Sequence, residues 1–151
     1  MKNRILIIGN NDFSREYYED GVFKINNRKY IKSLYEKYDV FNFSKDNLSC
    51  VSAKCMAKLF CELYNFNSCV ISLGLEEVKS NRISFFEDDL RELVEYFISI
   101  SVEPILLEID SEDYNVIEVN SIIKKIRTEY KLKNDFYNDL IICNQKLQLC
   151  H

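Results

Sequence analysis

Glycine, proline and histidine are scarce in this chain of 151 residues, which contains three, one and one of them, respectively. The one histidine, His151, is the last residue, so a histidine-based zinc site is not expected, and we expect no metal. No apolar run approaches the roughly 20 residues of a membrane-spanning helix. The run at residues 5–8 gives way to polar residues and is too short for a signal peptide. We therefore expect a cytoplasmic protein that does not bind membranes.

A surplus of positive charge is also absent. The 20 Lys and Arg are interleaved with 24 Asp and Glu, which gives a net charge of -4 and a pI near 5.1. This balance disfavours nucleic acid as a partner. Hydrophobic residues make up 47% of the chain, enough for a buried core. Because the length is typical of one domain, we expect a single domain over residues 1–151.

The cysteines form no Cys-x-x-Cys pair, although there are six of them. They are Cys50, Cys55, Cys61, Cys69, Cys143 and Cys150. Without a secretory signal, a disulfide framework is disfavoured. We expect reduced thiols that pack as small hydrophobic side chains.

The first strand is the clearest element of the sequence. Residues 5–8 read Ile-Leu-Ile-Ile, with no alternation of polar and apolar side chains, and Gly9 and Asn10 follow at once. Such a strand is expected to be buried on both faces, as in parallel sheets that carry helices on each side. The sequence therefore predicts a buried parallel strand that ends in a site-forming loop.

Strands and helices alternate along the rest of the chain. Short apolar runs predict further strands at residues 39–43, 68–74, 105–109 and 137–143. Apolar positions three and four apart predict helices at residues 29–38, 51–64, 85–101 and 119–130. This alternation predicts an α/β protein with an open parallel sheet of about five strands and helices on both faces.

Two shorter stretches and a set of tyrosines allow more than one interpretation. The polar, tyrosine-rich passage 15–28 is the least periodic part of the chain and is a candidate flap over the site. The acidic residues 87–89 are interpreted as the solvated first turn of the 85–101 helix. Five tyrosines either line a ligand surface or a protein interface, or pack in the core and at its rim. They are Tyr17, Tyr18, Tyr30, Tyr35 and Tyr38.

The predicted ligand site lies where the parallel strands end. In open parallel sheets the ligand crevice lies beyond the carboxyl ends of the strands, so the loops after residues 9, 43, 74 and 109 should share one rim. The candidate ligand-binding residues on this rim are Gly9, Asn10, Asn11, Asp12, Ser44, Gly74, Glu76, Glu77 and Asp110.

Each of these candidates also has a purely structural interpretation. Asn and Asp tolerate turn conformations, so residues 10–12 are either ligand contacts or ordinary turn residues. Glu76 and Glu77 could act as acid and base, or hold a divalent cation, together with Asp110 or Glu112. The structural alternative is that these carboxylates are only solvated.

Three stretches and one helix carry a family resemblance: Ile5-Leu-Ile-Ile-Gly9, Val70-Ile-Ser-Leu-Gly74, Pro104-Ile-Leu-Leu-Glu-Ile109 and the helix that contains Asn120. Together they resemble the SGNH (GDSL-type) hydrolase family over nearly the whole chain. The resemblance implies a three-layer α/β/α, flavodoxin-like (SGNH-type) parallel sheet. In hydrolytic members of the family it also implies a serine nucleophile just after the first strand.

The motifs that carry hydrolysis in that family differ here. Asn11 stands where Gly-Asn-Ser would place the nucleophile, and Ser14, three residues further on, is either a displaced nucleophile or a helix N-cap. Glu76 stands where Gly-x-Asn-Asp supplies an asparagine oxyanion donor, and its charge would oppose the oxyanion. The loop at residues 42–45 lacks the family's glycine. No Asp-x-x-His is present, and we expect a C-terminally truncated domain without the segment that carries the catalytic histidine.

Three function classes remain open on this basis. The first is an SGNH-like protein without the standard triad that acts as a noncatalytic binding or interaction module, with a small polar ligand, a protein partner or a second copy as its partner. The second is a divergent serine esterase or acylhydrolase acting on a small ester, with Ser14 as candidate nucleophile or a partner chain supplying the histidine. The third is a flavodoxin-like small-ligand binder. It is disfavoured because the loop after Gly9 lacks the Ser, Thr and Gly residues that wrap a phosphate, and we expect no cofactor.

Overall fold

The computed structural model describes residues 2–10, 13, 15–133 and 136. Its strands, in chain order, are β1 (Asn3–Gly9), β2 (Glu16–Glu19), β3 (Val22–Ile25), β4 (Tyr38–Ser44), β5 (Ser68–Ser72) and β6 (Glu103–Leu106). Its helices are α1 (Lys29–Lys37), α2 (Cys50–Leu63), α3 (Leu75–Lys79), α4 (Ile83–Ser99) and α5 (Ile117–Glu129).

Four strands form a parallel sheet in the order β4-β1-β5-β6. The first strand of the chain, β1, therefore lies inside the sheet, between β4 and β5. These strands match the predicted runs at residues 5–8, 39–43, 68–74 and 105–109. The predicted strand at residues 137–143 lies outside the described residues.

Helices cover both faces of this sheet, and β1 shows the separation most clearly. Neighbouring residues of a strand point to opposite faces. Ile5 and Ile7 pack with residues of α1 in one apolar cluster, whereas Leu6 and Ile8 pack with residues of α2, α4 and α5 in the other. All four side chains are buried. The prediction of a three-layer α/β/α fold, with β1 buried on both faces, is confirmed.

The four predicted helices are confirmed as α1, α2, α4 and α5, within a few residues at each end. The serine before α2 caps that helix, because Ser49 Oγ accepts a hydrogen bond from Ser52 N at 3.2 Å. The short helix α3 is an addition, since its sequence was interpreted as a loop. α4 begins at Ile83, so the acidic residues 87–89 lie in its second turn, and their assignment to the first turn is wrong.

The aperiodic passage after β1 forms an ordered antiparallel hairpin of β2 and β3, with Gly21 in its turn. All residues of both strands are exposed. Tyr17 and Tyr18 lie on this hairpin, whereas the other three tyrosines of the set pack partly against the α1 side of the core. The proposed role of the hairpin as a flap stays a prediction.

The cysteines that the structure describes are free thiols. Cys50 and Cys69 are completely buried. Burial raises the pKa of both thiols well above the ordinary value, so they are unreactive side chains of the core. Cys143 and Cys150 lie outside the described residues.

Within the described part of the chain, no helix is both long and apolar enough to cross a membrane.

Candidate functional site

The carboxyl ends of β1, β4 and β5 lie side by side at one edge of the sheet. In the strand register Gly9 is aligned with Ser44 on one side and with Ser72 on the other. Two backbone hydrogen bonds continue the pairing past the strand ends, from Lys45 N to Gly9 O and from Asn10 N to Ser72 O, both at 2.9 Å. The rim predicted from the sequence is therefore a physical edge, on which Gly9, Asn10 and Ser44 are neighbours.

Gly9 is required by packing within this edge. A Cβ atom at this position would lie 2.2 Å from Ser72 O, far inside the normal contact distance. Any larger residue would push β1 away from β5. The glycine thus allows two strands to approach closely, which explains why the apolar run ends in glycine without any ligand.

Asn10 connects β1 to the segment that precedes α2. Its Oδ1 accepts a hydrogen bond from Leu48 N at 3.1 Å, and its Nδ2 donates to Leu48 O at 3.5 Å. The side chain is therefore engaged with backbone. Asn11, Asp12 and Ser14 lie outside the described residues, so their predicted roles stay predictions.

Ser44 lies at the end of β4 and makes a local contact. Its Oγ donates to Asn42 Oδ1 at 2.6 Å, and its backbone N donates to the same oxygen at 3.2 Å. These two hydrogen bonds stabilise the backbone conformation at the end of β4.

Gly74 lies at the start of α3 and is enclosed by three apolar side chains. A Cβ atom there would lie 2.3 Å from Val119 Cγ1, 2.9 Å from Ile109 Cδ1 and 3.1 Å from Phe86 Cζ. The backbone has φ +123°, a conformation that favours glycine. Gly74 is thus explained by the close packing of the β5 exit against α4 and α5.

Glu77 is the unusual residue of the edge, because its side chain is buried with only 4% of it exposed. Its Oε1 accepts a hydrogen bond from Cys50 N at 2.7 Å, so the carboxylate satisfies a free amide at the start of α2. Its Oε2 is buried without a hydrogen-bond partner in the structure. The interpretation of this carboxylate as a solvated loop residue is wrong, because α3 turns it inward.

The environment of Glu77 raises its pKa. Burial is the largest cause, since it penalises the charged form, and the charges of Asp89 and Glu76 act in the same direction. The amide of Cys50 and the backbone amide of Glu77 itself oppose them by stabilising the carboxylate. Asp89 also has a raised pKa, through burial and then through its neighbours Glu92 and Asp88. Negative charge is therefore concentrated where α2, α3 and α4 meet.

A cleft of about 580 Å³ opens at this meeting point, on the α2 and α4 face of the sheet. Its walls are the segment around the start of α2, the helix α3 and the first turns of α4. Glu76, Glu77 and Asp89 bring three carboxylates to it, and Arg82 and Phe85 are also part of the lining. Sequence reasoning missed Asp89, Arg82 and Phe85. The missing information was tertiary, because these residues face the start of α2 and the helix α3 only in the folded chain.

Asp110 does not join the acidic group of the cleft. It is exposed beyond β6, and neither it nor Glu112 is part of the cleft lining, so their predicted acid–base or cation pairing with Glu76 and Glu77 stays a prediction. Among residues 2–10, 13, 15–133 and 136, no three His, Cys, Asp or Glu side chains form a group that could hold a metal ion.

Asn120 fixes the chain beyond β6. Its Oδ1 accepts from Ile109 N at 2.7 Å and its Nδ2 donates to Ile109 O at 2.8 Å. The asparagine in the predicted helix therefore holds the β6 exit against α5.

No protein-family model and no curated protein sequence matches the chain. Among solved structures it is similar to the psychrotrophic esterase EstA from Pseudoalteromonas sp., at 16% identity and a TM-score of 0.66, over 99% of this chain and 100% of that one. A protein described as a GDSL-like lipase from Parabacteroides merdae matches at 15% identity and a TM-score of 0.63, over 87% of this chain and 76% of that one. A catalytic mutant of the acetylxylan esterase Axe2 from Geobacillus stearothermophilus matches at 14% identity and a TM-score of 0.57, over 86% of this chain and 74% of that one. The chain therefore shares the fold of SGNH (GDSL-type) esterases and lipases, which confirms the resemblance at the level of the fold.

Proposed function

We propose that this protein is a noncatalytic binding module with an SGNH-like fold, which holds a small polar ligand in the cleft between α2, α3 and α4. Fold alone does not decide between a hydrolase and a binding protein. The proposal rests on the chemistry of the strand ends.

The observation that carries the proposal is the pair of carboxylates after β5. An ester hydrolase needs hydrogen-bond donors where the oxyanion develops, and an ionised carboxylate is only an acceptor. Oε1 of Glu77 also accepts a hydrogen bond from the amide of Cys50 at 2.7 Å, so this side chain stabilises the start of α2. Glu76, which stands in the position of the oxyanion donor, would bring a negative charge that opposes formation of a tetrahedral intermediate.

The sequence supports the same conclusion at two other positions. Asn11 stands where the family's turn carries its nucleophile, and an amide does not attack an ester. The one histidine of these 151 residues is His151, and no aspartate stands three residues before it. A hydrolase of this type would need both groups close to the end of β1.

The test is hydrolysis of short-chain aryl esters by the purified protein, beside the variants Ser14→Ala and Ser99→Ala. Ser99 is the matched control, because it lies at the far end of α4 and its Oγ donates to Tyr96 O. We expect no turnover above the buffer rate in any of the three proteins. Turnover that is lost in Ser14→Ala and kept in Ser99→Ala would refute the proposal.

That refuting result would support the second candidate, a divergent serine esterase or acylhydrolase with Ser14 as its nucleophile. The observation in its favour is the similarity in fold to two esterases and a GDSL-like lipase. It would require an activating base other than the family's Asp-x-x-His, which this sequence lacks.

A further inference from the structure

The outer side of α2 carries an apolar ridge that is exposed to solvent. Its residues are spaced four apart along the helix: Val51, Cys55, Leu59 and Leu63. All four are exposed, and 56% of the surface of Leu59 and 66% of that of Leu63 is open to solvent. Apolar residues at this spacing are typical of a helix face that packs against other protein. We call these four residues the α2 ridge.

The opposite side of α2 is apolar as well. The residues that it buries are small: Cys50, Ala53 and Ala57. Only four of the 14 residues of the helix are polar, namely Ser52, Lys54, Lys58 and Glu62. A helix that is apolar on all sides is normally buried on all sides, whereas α2 is buried on one side only. The α2 ridge therefore has the character of an interface surface.

The outward sides of α4 and α5 show a different pattern. Their charged side chains pair with each other across the two helices, as Arg91 does with Glu129 and Lys125 with Glu87. Charged residues on the outward face are typical of helices that stay in water. The exposed face of α2 thus differs from the outward faces of both of these helices.

One flank of the α2 ridge carries a charge of each sign. Lys58 and Glu62 are exposed and lie one turn apart on the same side of the helix. Among the residues that the structure describes, neither has an ion-pair partner, and Lys58 Nζ lies 5.8 Å from the centre of the Tyr96 ring. In an antiparallel pair of identical helices, Lys58 of each copy comes within reach of the partner's Glu62. The flank is therefore complementary to a second copy of itself.

The open apolar surface is large enough for a small interface. The three aliphatic side chains of the ridge and Tyr64, which follows the helix and is 45% exposed, leave roughly 200–300 Å² of apolar surface open on each copy. Because interfaces are about 60% apolar, two copies would bury about 700–1,000 Å² in total. Stable complexes bury about 1,200–2,000 Å², and weak, transient ones bury less. The area therefore fits a reversible dimer.

We propose that the protein forms a weak, two-fold symmetric dimer, in which the α2 ridges of two copies pack antiparallel and meet near Leu59. Ridges of residues four apart interdigitate when two helices cross, and a two-fold axis places the same surface on both sides of the contact. Lys58 of each copy then pairs with the partner's Glu62. The inference goes beyond the proposed function, because Leu59 is not part of the cleft lining.

The test is sedimentation equilibrium of the full chain in reducing buffer, from low micromolar to submillimolar concentration. We expect monomer at the low end and dimer at the high end, with a dissociation constant in the micromolar range, because the interface is small. The reducing agent keeps the exposed thiol of Cys55 from forming a disulfide between copies.

Three substitutions of exposed apolar residues locate the contact. Leu59→Glu should raise the dissociation constant at least about tenfold, because symmetry brings two like charges to the centre of the interface. Ile117→Glu is the matched control, since Ile117 is an aliphatic residue on α5 that is 77% exposed. Phe23→Glu tests the exposed hairpin as the rival surface. Both should associate like the wild type, and circular dichroism should show the same thermal midpoint for Leu59→Glu as for Ile117→Glu.

Exchange of the two flanking charges tests the antiparallel orientation. Lys58→Glu places two carboxylates beside each other across the interface, and Glu62→Lys places two ammonium groups there. Each should raise the dissociation constant about five- to tenfold. The double variant Lys58→Glu/Glu62→Lys restores opposite charges and should return to within about twofold of the wild type.

The outcomes separate this inference from the proposed function. A monomer at all concentrations would overturn the dimer, and so would growth beyond two copies, which a closed two-fold contact does not produce. Loss of association in Phe23→Glu or Ile117→Glu, with retention in Leu59→Glu, would also overturn it. Single charge variants that associate like the wild type, or a double variant that is not restored, would overturn the antiparallel pairing. Ester turnover that depends on Ser14 would refute the proposed function, whatever the state of association.

Discussion

Replacing Gly74 with alanine should destabilise the protein more than any ordinary surface substitution. The added Cβ would lie 2.3 Å from Val119 Cγ1 and 2.9 Å from Ile109 Cδ1, so the β5 exit would have to move away from α5. Overpacking of a core costs about 1–3 kcal/mol. The φ of +123° adds a backbone cost of about 1–2 kcal/mol for a residue with a Cβ. We expect a loss of about 2–5 kcal/mol, a large part of a typical unfolding free energy of about 5–15 kcal/mol.

Urea unfolding followed by far-UV circular dichroism measures this loss. With a slope of about 2 kcal/mol per molar urea, the midpoint should fall by roughly 1–2.5 M. Gly21→Ala is the matched control, since its φ is also positive, at +80°, but the nearest atom to its Cβ would be Tyr18 Oη at 3.7 Å. It should cost about 1–2 kcal/mol, because only the backbone term applies. Equal effects of the two substitutions would refute the packing argument.

Three further substitutions test hydrogen bonds and burial described above. Asn120→Ala removes both hydrogen bonds to Ile109 and should cost about 2–4 kcal/mol in urea unfolding, because two backbone groups lose their partners. Ser49→Ala removes the acceptor for Ser52 N and should cost about 1 kcal/mol, read from the thermal midpoint. The pKa of Glu77 is raised in the folded state, so this group favours folding at acid pH, and that contribution is lost as pH rises through the folded pKa. Glu77→Gln should therefore flatten the pH dependence of the unfolding free energy above about pH 4, and an unchanged slope would contradict the assigned burial.

The fold could be predicted because its signals are local and periodic. The unbroken apolar run at residues 5–8 implied burial on both faces, and the structure shows Ile5 and Leu6 packing into different clusters. The three- and four-residue spacings located four helices. The hairpin of β2 and β3 was missed because its apolar residues are exposed and match neither period over a long stretch.

The site was only partly predictable, since its chemistry depends on tertiary packing. The sequence identified Glu76 and Glu77 at the end of a strand, but not that a one-turn helix turns Glu77 inward against the amide of Cys50. That contact joins residues 27 positions apart. Asp89 was assigned to a solvated turn because the start of α4 was placed at Phe85, two residues late. Its place in the cleft depends on α2 and α3, which supply the opposite walls only in the folded chain.

Intact-mass spectrometry after treatment with a fluorophosphonate probe tests the central claim most directly, because the reagent forms a covalent adduct only with an activated nucleophile. The account predicts an unmodified mass for the wild type, under conditions in which a serine esterase is fully labelled. A stoichiometric adduct at one residue, mapped to Ser14 and absent from Ser14→Ala, would contradict the account and identify a catalytic protein.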